Sequence, residues 1–299
     1  MKLFSGSSNK PLAEKISKGL DTSLSPVELF TFPDGEKRVM VPTNVVGEDC
    51  VVVQPTSPPV DSNVMELFFI IDALKRTGAK TVTTVIPYFG YERQDHVFRD
   101  GEARSLEVIT NILAMQQVDR VIGLDFHSVK VPEIFKIPVT HLSALPLFAE
   151  NIKKMGWAEN ETVLVTPDMG GLRRIEILSE MMGGIPYVSV EKNRDLESGN
   201  IESTVFHGKL KKRAVIVDDI IASGKTIVAA TNLLLENGVE EVVVMASHAV
   251  FAPEAPLLLQ NSKTSKIFVT DSIHISKSGR FPKLEILSVA PLISKTLRA

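Results

Sequence analysis

One stretch constrains this chain more than any other: Ala214-Val215-Ile216-Val217-Asp218-Asp219-Ile220-Ile221-Ala222-Ser223-Gly224-Lys225-Thr226. Four apolar residues bounded by charge predict a buried strand. Two adjacent carboxylates follow, then a loop of small residues. Ile227, Val228, Ala230, Leu233 and Leu234 then fall on a helical repeat. The unit is strand, loop, helix, and open α/β sheets bind ligands at the carboxyl ends of such strands. Backbone N–H groups at a helix start hold phosphate. Asp218 and Asp219 can accept hydrogen bonds from sugar hydroxyls, as carboxylates do at ribose sites. The bland alternative is a capped helix behind a solvated turn, but two carboxylates at a strand end are costly unless used.

The Ser-Gly-Lys-Thr ending is also that of a nucleotide-binding P-loop. That motif requires glycine five residues before Gly224, where this chain has Asp219. The P-loop reading is therefore rejected.

Strands and helices alternate along the chain, which predicts mostly parallel sheets covered by helices. Predicted strands include Lys2–Ser5, Val27–Phe32, Arg38–Val41, Cys50–Gln54, Thr81–Ile86, Arg120–Leu124, Thr162–Val165 and Tyr187–Val190. Predicted helices include Pro11–Leu20, Val64–Arg76 and Leu172–Met182, with another opening at Ser105. A polar loop interrupts the alternation from Pro87 to Arg104. It is long for a compact domain, which hints at function. Pro291 to Ala299 reads as a short tail.

Sliding residues 105–133 by 121 positions onto 226–254 gives nine identities in 29, without gaps. Thr110-Asn111 meets Thr231-Asn232, and His127, Pro132 and Glu133 meet His248, Pro253 and Glu254. Such a register favours duplication over shared patterning. The chain thus divides into two similar α/β halves, 1–145 and 146–299, with the boundary near Ser143 to Leu147. Only the second half carries the acidic pair. At the equivalent point the first half has the 87–104 loop.

Other constellations bear on chemistry. Phe32-Pro33-Asp34-Gly35-Glu36 reads either as a hairpin turn or as an aromatic platform with two acids for a base. Arg93-Gln94 suits polyphosphate through the guanidinium fork. His127, after Asp125, and Asp168, in Pro167-Asp168-Met169-Gly170-Gly171, offer donors for a divalent metal, although a lone histidine is more often structural. Lys192 and Arg194 sit in a charged segment, Glu191 to Asn200, that is a candidate for a mobile loop closing over reacting groups. The plain reading of that pair is a surface charge cluster.

A net charge of −3 gives no sign of a nucleic-acid or membrane partner. Apolar runs such as Leu67 to Ile71 are far too short to span a bilayer. Met1 leads straight into the first strand with no apolar signal region, which predicts a cytoplasmic protein. The single cysteine, Cys50, is expected to be buried and inert.

The stretch from Val217 to Thr226 resembles the phosphoribosyl-pyrophosphate (PRPP) loop of the type I phosphoribosyltransferase fold. Together the motifs resemble the ribose-phosphate pyrophosphokinase, or PRPP synthetase, family through nearly the whole chain. The resemblance implies two tandem type I phosphoribosyltransferase-like domains, each a mostly parallel sheet flanked by helices. It implies transfer of the pyrophosphoryl group of ATP to the 1-hydroxyl of ribose 5-phosphate, giving PRPP and AMP. By the same resemblance, Phe32, Asp34, Gly35, Glu36, Arg93, Gln94 and His127 bind ATP. Asp218, Asp219, Ala222, Ser223, Gly224, Lys225, Thr226 and Arg194 bind ribose 5-phosphate. His127 and Asp168 place Mg2+, while Lys192 and Arg194 are catalytic. A homo-oligomer is implied, at least a dimer with a shared active site.

Ala222 stands where many relatives have Asp, and Lys225 where many have Gly. The Ser-Gly-Lys-Thr form is nearer that of purine phosphoribosyltransferases, whose Asp before the Ser or Thr acts as a base near the purine. Ala222 lacks that carboxylate. Two rivals remain: a phosphoribosyltransferase that consumes PRPP, and a synthetase-associated regulatory subunit without turnover.

Overall fold

The computed structural model describes residues 1–97, 99–157, 161–194 and 201–299; for 191–194 and 201–206 the description is of backbone alone. The elements in chain order are β1 (Lys2–Ser5), α1 (Lys10–Gly19), β2 (Glu28–Thr31), β3 (Lys37–Met40), β4 (Asp49–Val53), α2 (Val60–Arg76) and β5 (Thr81–Ile86). Then come α3 (Ser105–Met115), β6 (Arg120–Leu124), α4 (Val131–Ile134), β7 (Val139–Leu142), α5 (Leu145–Lys154), β8 (Thr162–Thr166) and α6 (Leu172–Met181). The rest are β9 (Tyr187–Arg194), β10 (Ile201–His207), β11 (Arg213–Ile221), α7 (Lys225–Glu236), β12 (Glu241–Ala249), α8 (Ala255–Asn261), β13 (Lys266–Thr270), β14 (Leu284–Leu287) and α9 (Ala290–Arg298).

Two compact units result: Met1–Leu142 with Asp271–His274 and Ser288–Ala299, and Ser143–Thr270 with Ile275–Leu287. The first holds a sheet in the order β1-β4-β5-β6-β7, parallel throughout. Successive side chains of a strand point to opposite faces. One face puts Phe4, Val52 and Val121 against Leu67, Ile70 and Leu74 of α2. The other face is buried as well, through Leu3, Val51 and Ile122. Burial on both faces is what a parallel sheet requires, and it explains why these strands read as continuous apolar runs.

The second unit holds a sheet in the order β10-β9-β8-β11-β12-β13-β14. It is parallel except for β10, which pairs antiparallel with β9. Val163, Ile216 and Val244 pack with Ile227, Ala230 and Leu234 of α7. Each fully buried aliphatic side chain of this kind contributes about 1.5–3 kcal/mol.

The central strands take one order in both units, β4-β5-β6-β7 and β8-β11-β12-β13. The 121-residue offset carries Met115, the end of α3, onto Glu236, the end of α7, and Arg120 of β6 onto Glu241 of β12. The 87–104 loop and the 222–224 loop therefore leave equivalent strands. His127 and His248 do not behave alike: His248 is fully buried within β12, whereas His127 is exposed beyond the end of β6.

The final residues are no tail. Pro291 lies in the first turn of α9, where a missing N–H costs nothing. Ile293 and Ser294 are buried as α9 packs on α1. Residues 271–274 and 288–299 thus belong with the first unit rather than with 146–299. Asp271 secures the return, because its carboxylate accepts from Lys15 Nζ of α1 at 2.7 Å and from the Val289 N–H at 2.8 Å. Among the described residues, no helix is long and apolar enough to cross a membrane.

Candidate functional site

In the second unit the chemistry gathers at the carboxyl end of β11. The strand runs on through Asp218 and Asp219 to Ile221, past Val217 where the apolar run stops. Asp218 pairs in register with Ala246 and Ile220 with His248. The acidic pair therefore sits on sheet backbone, which fixes both carboxylates. Asp219 is buried, and its N–H donates to Asp218 Oδ1 at 2.9 Å. Arg174, in the first turn of α6, brings Nη1 to 3.5 Å from Asp219 Oδ1 and 3.9 Å from Asp218 Oδ1.

Burial, then the hydrogen bond and charge of Asp219, push the carboxyl of Asp218 well above the usual carboxylate range. Asp168 adds to the rise through its negative charge, and Arg174 opposes it. Asp168 itself is exposed, and its Oδ1 accepts from the Gly171 N–H at 3.2 Å. The turn after it needs glycine, because a Cβ at Gly171 would meet Thr166 Oγ1 at 2.1 Å.

The loop from Ala222 to Thr226 leads straight into α7. Gly224, at the N-cap of the helix, adopts φ +77° and brings no side chain, while Ser223 Oγ accepts from the Lys225 N–H at 3.4 Å. Ala222 O accepts from the Ala252 N–H at 3.0 Å, and Ile221 O from the Phe251 N–H at 3.1 Å, which anchors the loop to the chain beyond β12. Lys225 and Thr226 are exposed. A helix start beside two carboxylates can take a phosphate on its N–H groups and hydroxyls on its acids.

In the first unit two loops meet. Glu92 is buried, and its Oε2 accepts from the His127 N–H at 3.2 Å. The 87–104 loop is thereby tied to the turn after β6. Gly90 donates its N–H to Thr56 Oγ1 at 2.6 Å, and a Cβ there would strike Thr56 O at 2.6 Å. Tyr91 has φ +67° and its hydroxyl donates to Asp61. On this pinned backbone Arg93 and Gln94 are exposed, as is His127.

Phe32, Pro33, Asp34, Gly35 and Glu36 form the exposed turn between β2 and β3. The hairpin reading of this segment holds: the Phe32 N–H donates to Glu36 O at 2.8 Å, and Asp34 Oδ1 accepts from the Glu36 N–H at 3.1 Å. Gly35 takes φ +94°. Phe30 and Phe32 stand edge to face with ring centroids 4.9 Å apart.

The side chains of Lys192 and Arg194 lie outside the described residues, as does the segment 195–200. Their backbone belongs to β9, Lys192 opposite Thr204 and Arg194 opposite Ile201. The expected loop from Glu191 is therefore strand as far as Arg194.

Sequence reasoning missed Arg174 and Glu92. Arg174 carried a signal. A cation in the first turn of a helix opposes the macrodipole, so it needs carboxylates nearby. Glu92 gave none, because its partner is a backbone N–H.

The model of the N-terminal domain of ribose phosphate pyrophosphokinase matches residues 1–116, and that of the phosphoribosyl transferase domain matches 139–276. A ribose-phosphate pyrophosphokinase of Thermotoga maritima is 37% identical over 300 residues, covering 99% of this chain and 94% of its own. One of Thermosipho africanus is 35% identical over 297 residues, covering 99% and 93%. The crystal structure of phosphoribosylpyrophosphate synthetase from Mycobacterium smegmatis superposes with a TM-score of 0.94 at 33% identity, over 100% of this chain and 97% of that one.

Proposed function

This chain belongs to the ribose-phosphate pyrophosphokinase family, an ATP-dependent diphosphotransferase of two α/β domains, and from that premise we propose how its residues divide the reaction. The reaction is ATP plus ribose 5-phosphate giving PRPP plus AMP. The anomeric 1-hydroxyl attacks the β-phosphorus of ATP. A new O–P bond forms, the bond from that phosphorus to the α–β bridging oxygen breaks, and AMP leaves with the oxygen. The hydroxyl proton is released. Chemistry of this kind is carried mainly by positioning and charge neutralisation.

The observation that carries the reading is the continuous path from Asp218-Asp219 on β11 through the small-residue loop into the start of α7. The loop Ala222, Ser223, Gly224, Lys225, Thr226 holds the 5-phosphate on backbone N–H groups. Asp218 and Asp219 accept from the ribose hydroxyls, with Arg174 holding both acids in place. Phe32 stacks on adenine while Asp34, Gly35 and Glu36 line its edge. Arg93 and Gln94 receive the phosphates, beside His127. Lys192 and Arg194 neutralise charge on the transferring group. Ala222 supplies no carboxylate to act on a purine, which disfavours base-exchange chemistry.

The donor set suits Mg2+. This ion keeps several waters and is bound through one or two side chains plus substrate phosphates rather than a protein cage. Asp168 of the second unit offers an exposed carboxylate and His127 of the first an exposed imidazole, and each is a residue that would serve such an ion. When bound, it neutralises charge on the polyphosphate.

By resemblance to the family, the exposed Phe32–Glu36 turn reaches a neighbouring subunit's site, which makes the working form at least a homodimer. The substrates place the protein in the cytoplasm. Incubation with ATP, Mg2+ and ribose 5-phosphate, followed by phosphorus NMR, tests the reading. Equal, ribose-5-phosphate-dependent appearance of AMP and PRPP supports it, and ATP left intact refutes it.

A further inference from the structure

Glu66 of α2 is a buried carboxylate, 2% exposed, that the reaction above does not use. Its Oε1 accepts from the Ser7 N–H at 2.6 Å and Gln54 Nε2 at 3.0 Å. Its Oε2 accepts from Ser7 Oγ at 2.9 Å and Lys37 Nζ at 2.7 Å. Ser7 follows β1, Gln54 follows β4, and Lys37 opens β3 directly after Glu36. Gln54 is itself fully buried and accepts from Ser8 Oγ at 2.8 Å, and Lys37 Nζ also reaches Ser62 O at 3.3 Å. One carboxylate thus joins the carboxyl ends of two sheet strands to the turn end of the β2–β3 hairpin.

The hairpin needs such a tether. Every residue of β2 is exposed, and the apolar contact of the segment with the core runs through Val27, Val39 and Val41. Those side chains fix where the hairpin lies, but their contacts are non-directional. Lys37 to Glu66 is directional and sits one residue from the functional turn. A buried ion pair is poor evidence of stabilisation, because apolar residues of similar volume often serve as well. Its use is better sought in geometry.

Resting on the functional reading above, we propose that Glu66, acting through Lys37, is a positioning residue that holds the Phe32–Glu36 turn in register for the adenine of ATP. Lys37→Met keeps most of the side-chain length on a residue that is 17% exposed, and it removes the donor. ATP affinity measured by calorimetry falls about tenfold, the loss of one charge-assisted hydrogen bond. Ribose 5-phosphate affinity is unchanged, and backbone amide exchange rises across residues 28–40. Glu66→Gln gives the same selective loss. An ATP affinity within about twofold of the parent, or equal loss of both ligands, overturns the proposal. Should the parent protein bind ATP yet release no AMP, the reaction falls while the affinity ratio still decides the positioning role. A parent protein that binds no ATP overturns both.

Discussion

Arg174 holds Nη1 3.5 Å from Asp219 Oδ1 with only 14% of its side chain exposed, so one guanidinium serves two adjacent carboxyls. It is the positive group that opposes the rise of Asp218's pKa. Arg174→Met removes that opposition. Asp218 then binds its proton more tightly, and the pair offers a weaker acceptor to ribose hydroxyls. Ribose 5-phosphate affinity is expected to fall about tenfold at neutral pH, with ATP affinity retained. Calorimetric titration with each ligand checks this, and an unchanged ribose 5-phosphate affinity contradicts it.

The raised pKa of Asp218 sets the sign of two pH effects. The folded protein keeps a proton that the unfolded chain has already lost. Stability from this group is full below the unfolded value and is lost as pH rises through the folded value. The melting temperature of the ligand-free protein should therefore decline over that window, and Asp218→Asn should remove this part of the slope. Ribose 5-phosphate favours the ionised pair, so its affinity should rise with pH and its binding should release protons. Calorimetry in buffers of differing protonation enthalpy reads the release directly; proton uptake would reverse the assignment.

Gly224 combines φ +77° with a Cβ position 3.1 Å from Leu259 Cδ2. Gly224→Ala adds left-handed strain of about 1–2 kcal/mol. It also presses on Leu259, a fully buried residue of α8. The melting temperature should drop by a few degrees, on the order of 2–8 °C. Since Gly224 directly precedes the first turn of α7, ribose 5-phosphate affinity should fall more than ATP affinity. Equal affinities for both ligands in variant and parent would show that the loop does not hold the phosphate.

Much of this arrangement is legible in the sequence, and the limits have physical causes. The run Ala214 to Val217 marks a buried strand because parallel strands are apolar on both faces. The same signal ends too early, since Asp218 and Asp219 are polar while their backbone stays in the sheet to Ile221. The register between residues 105–133 and 226–254 holds for α3 and α7 but not for His127 and His248, which differ in burial. The packing of α9 on α1 joins opposite ends of the chain, and no local pattern encodes it. Glu92 and His127 meet through backbone, where side-chain identity on one partner is silent.

Cys50 offers a check on the first unit's core. Burial first, then the charge of Glu48, pushes its thiol up to about 11. The thiolate is the reactive form. A thiol-specific reagent at pH 8 should leave the native protein unlabelled and label it in denaturant. Rapid labelling of the native protein would show that β4 opens readily.

Lys192 and Arg194 test the chemical step. Both lie on the backbone of β9 ahead of residue 195, two positions apart. In ATP the β- and γ-phosphates already carry charge, and Arg93, Gln94 and the Phe32–Glu36 turn are assigned to bind that ground state. Charge shifts onto the departing AMP oxygen only as the bond breaks. Cations that meet this shift add little to ATP binding and much to turnover. Lys192→Ala and Arg194→Ala should each lower kcat by about 100-fold to 1000-fold, the loss typical of one electrostatic donor, with KM for ATP changed far less. Steady-state kinetics over both substrates separate the two constants. A raised KM with kcat intact would make these residues binding groups and remove them from the chemical step.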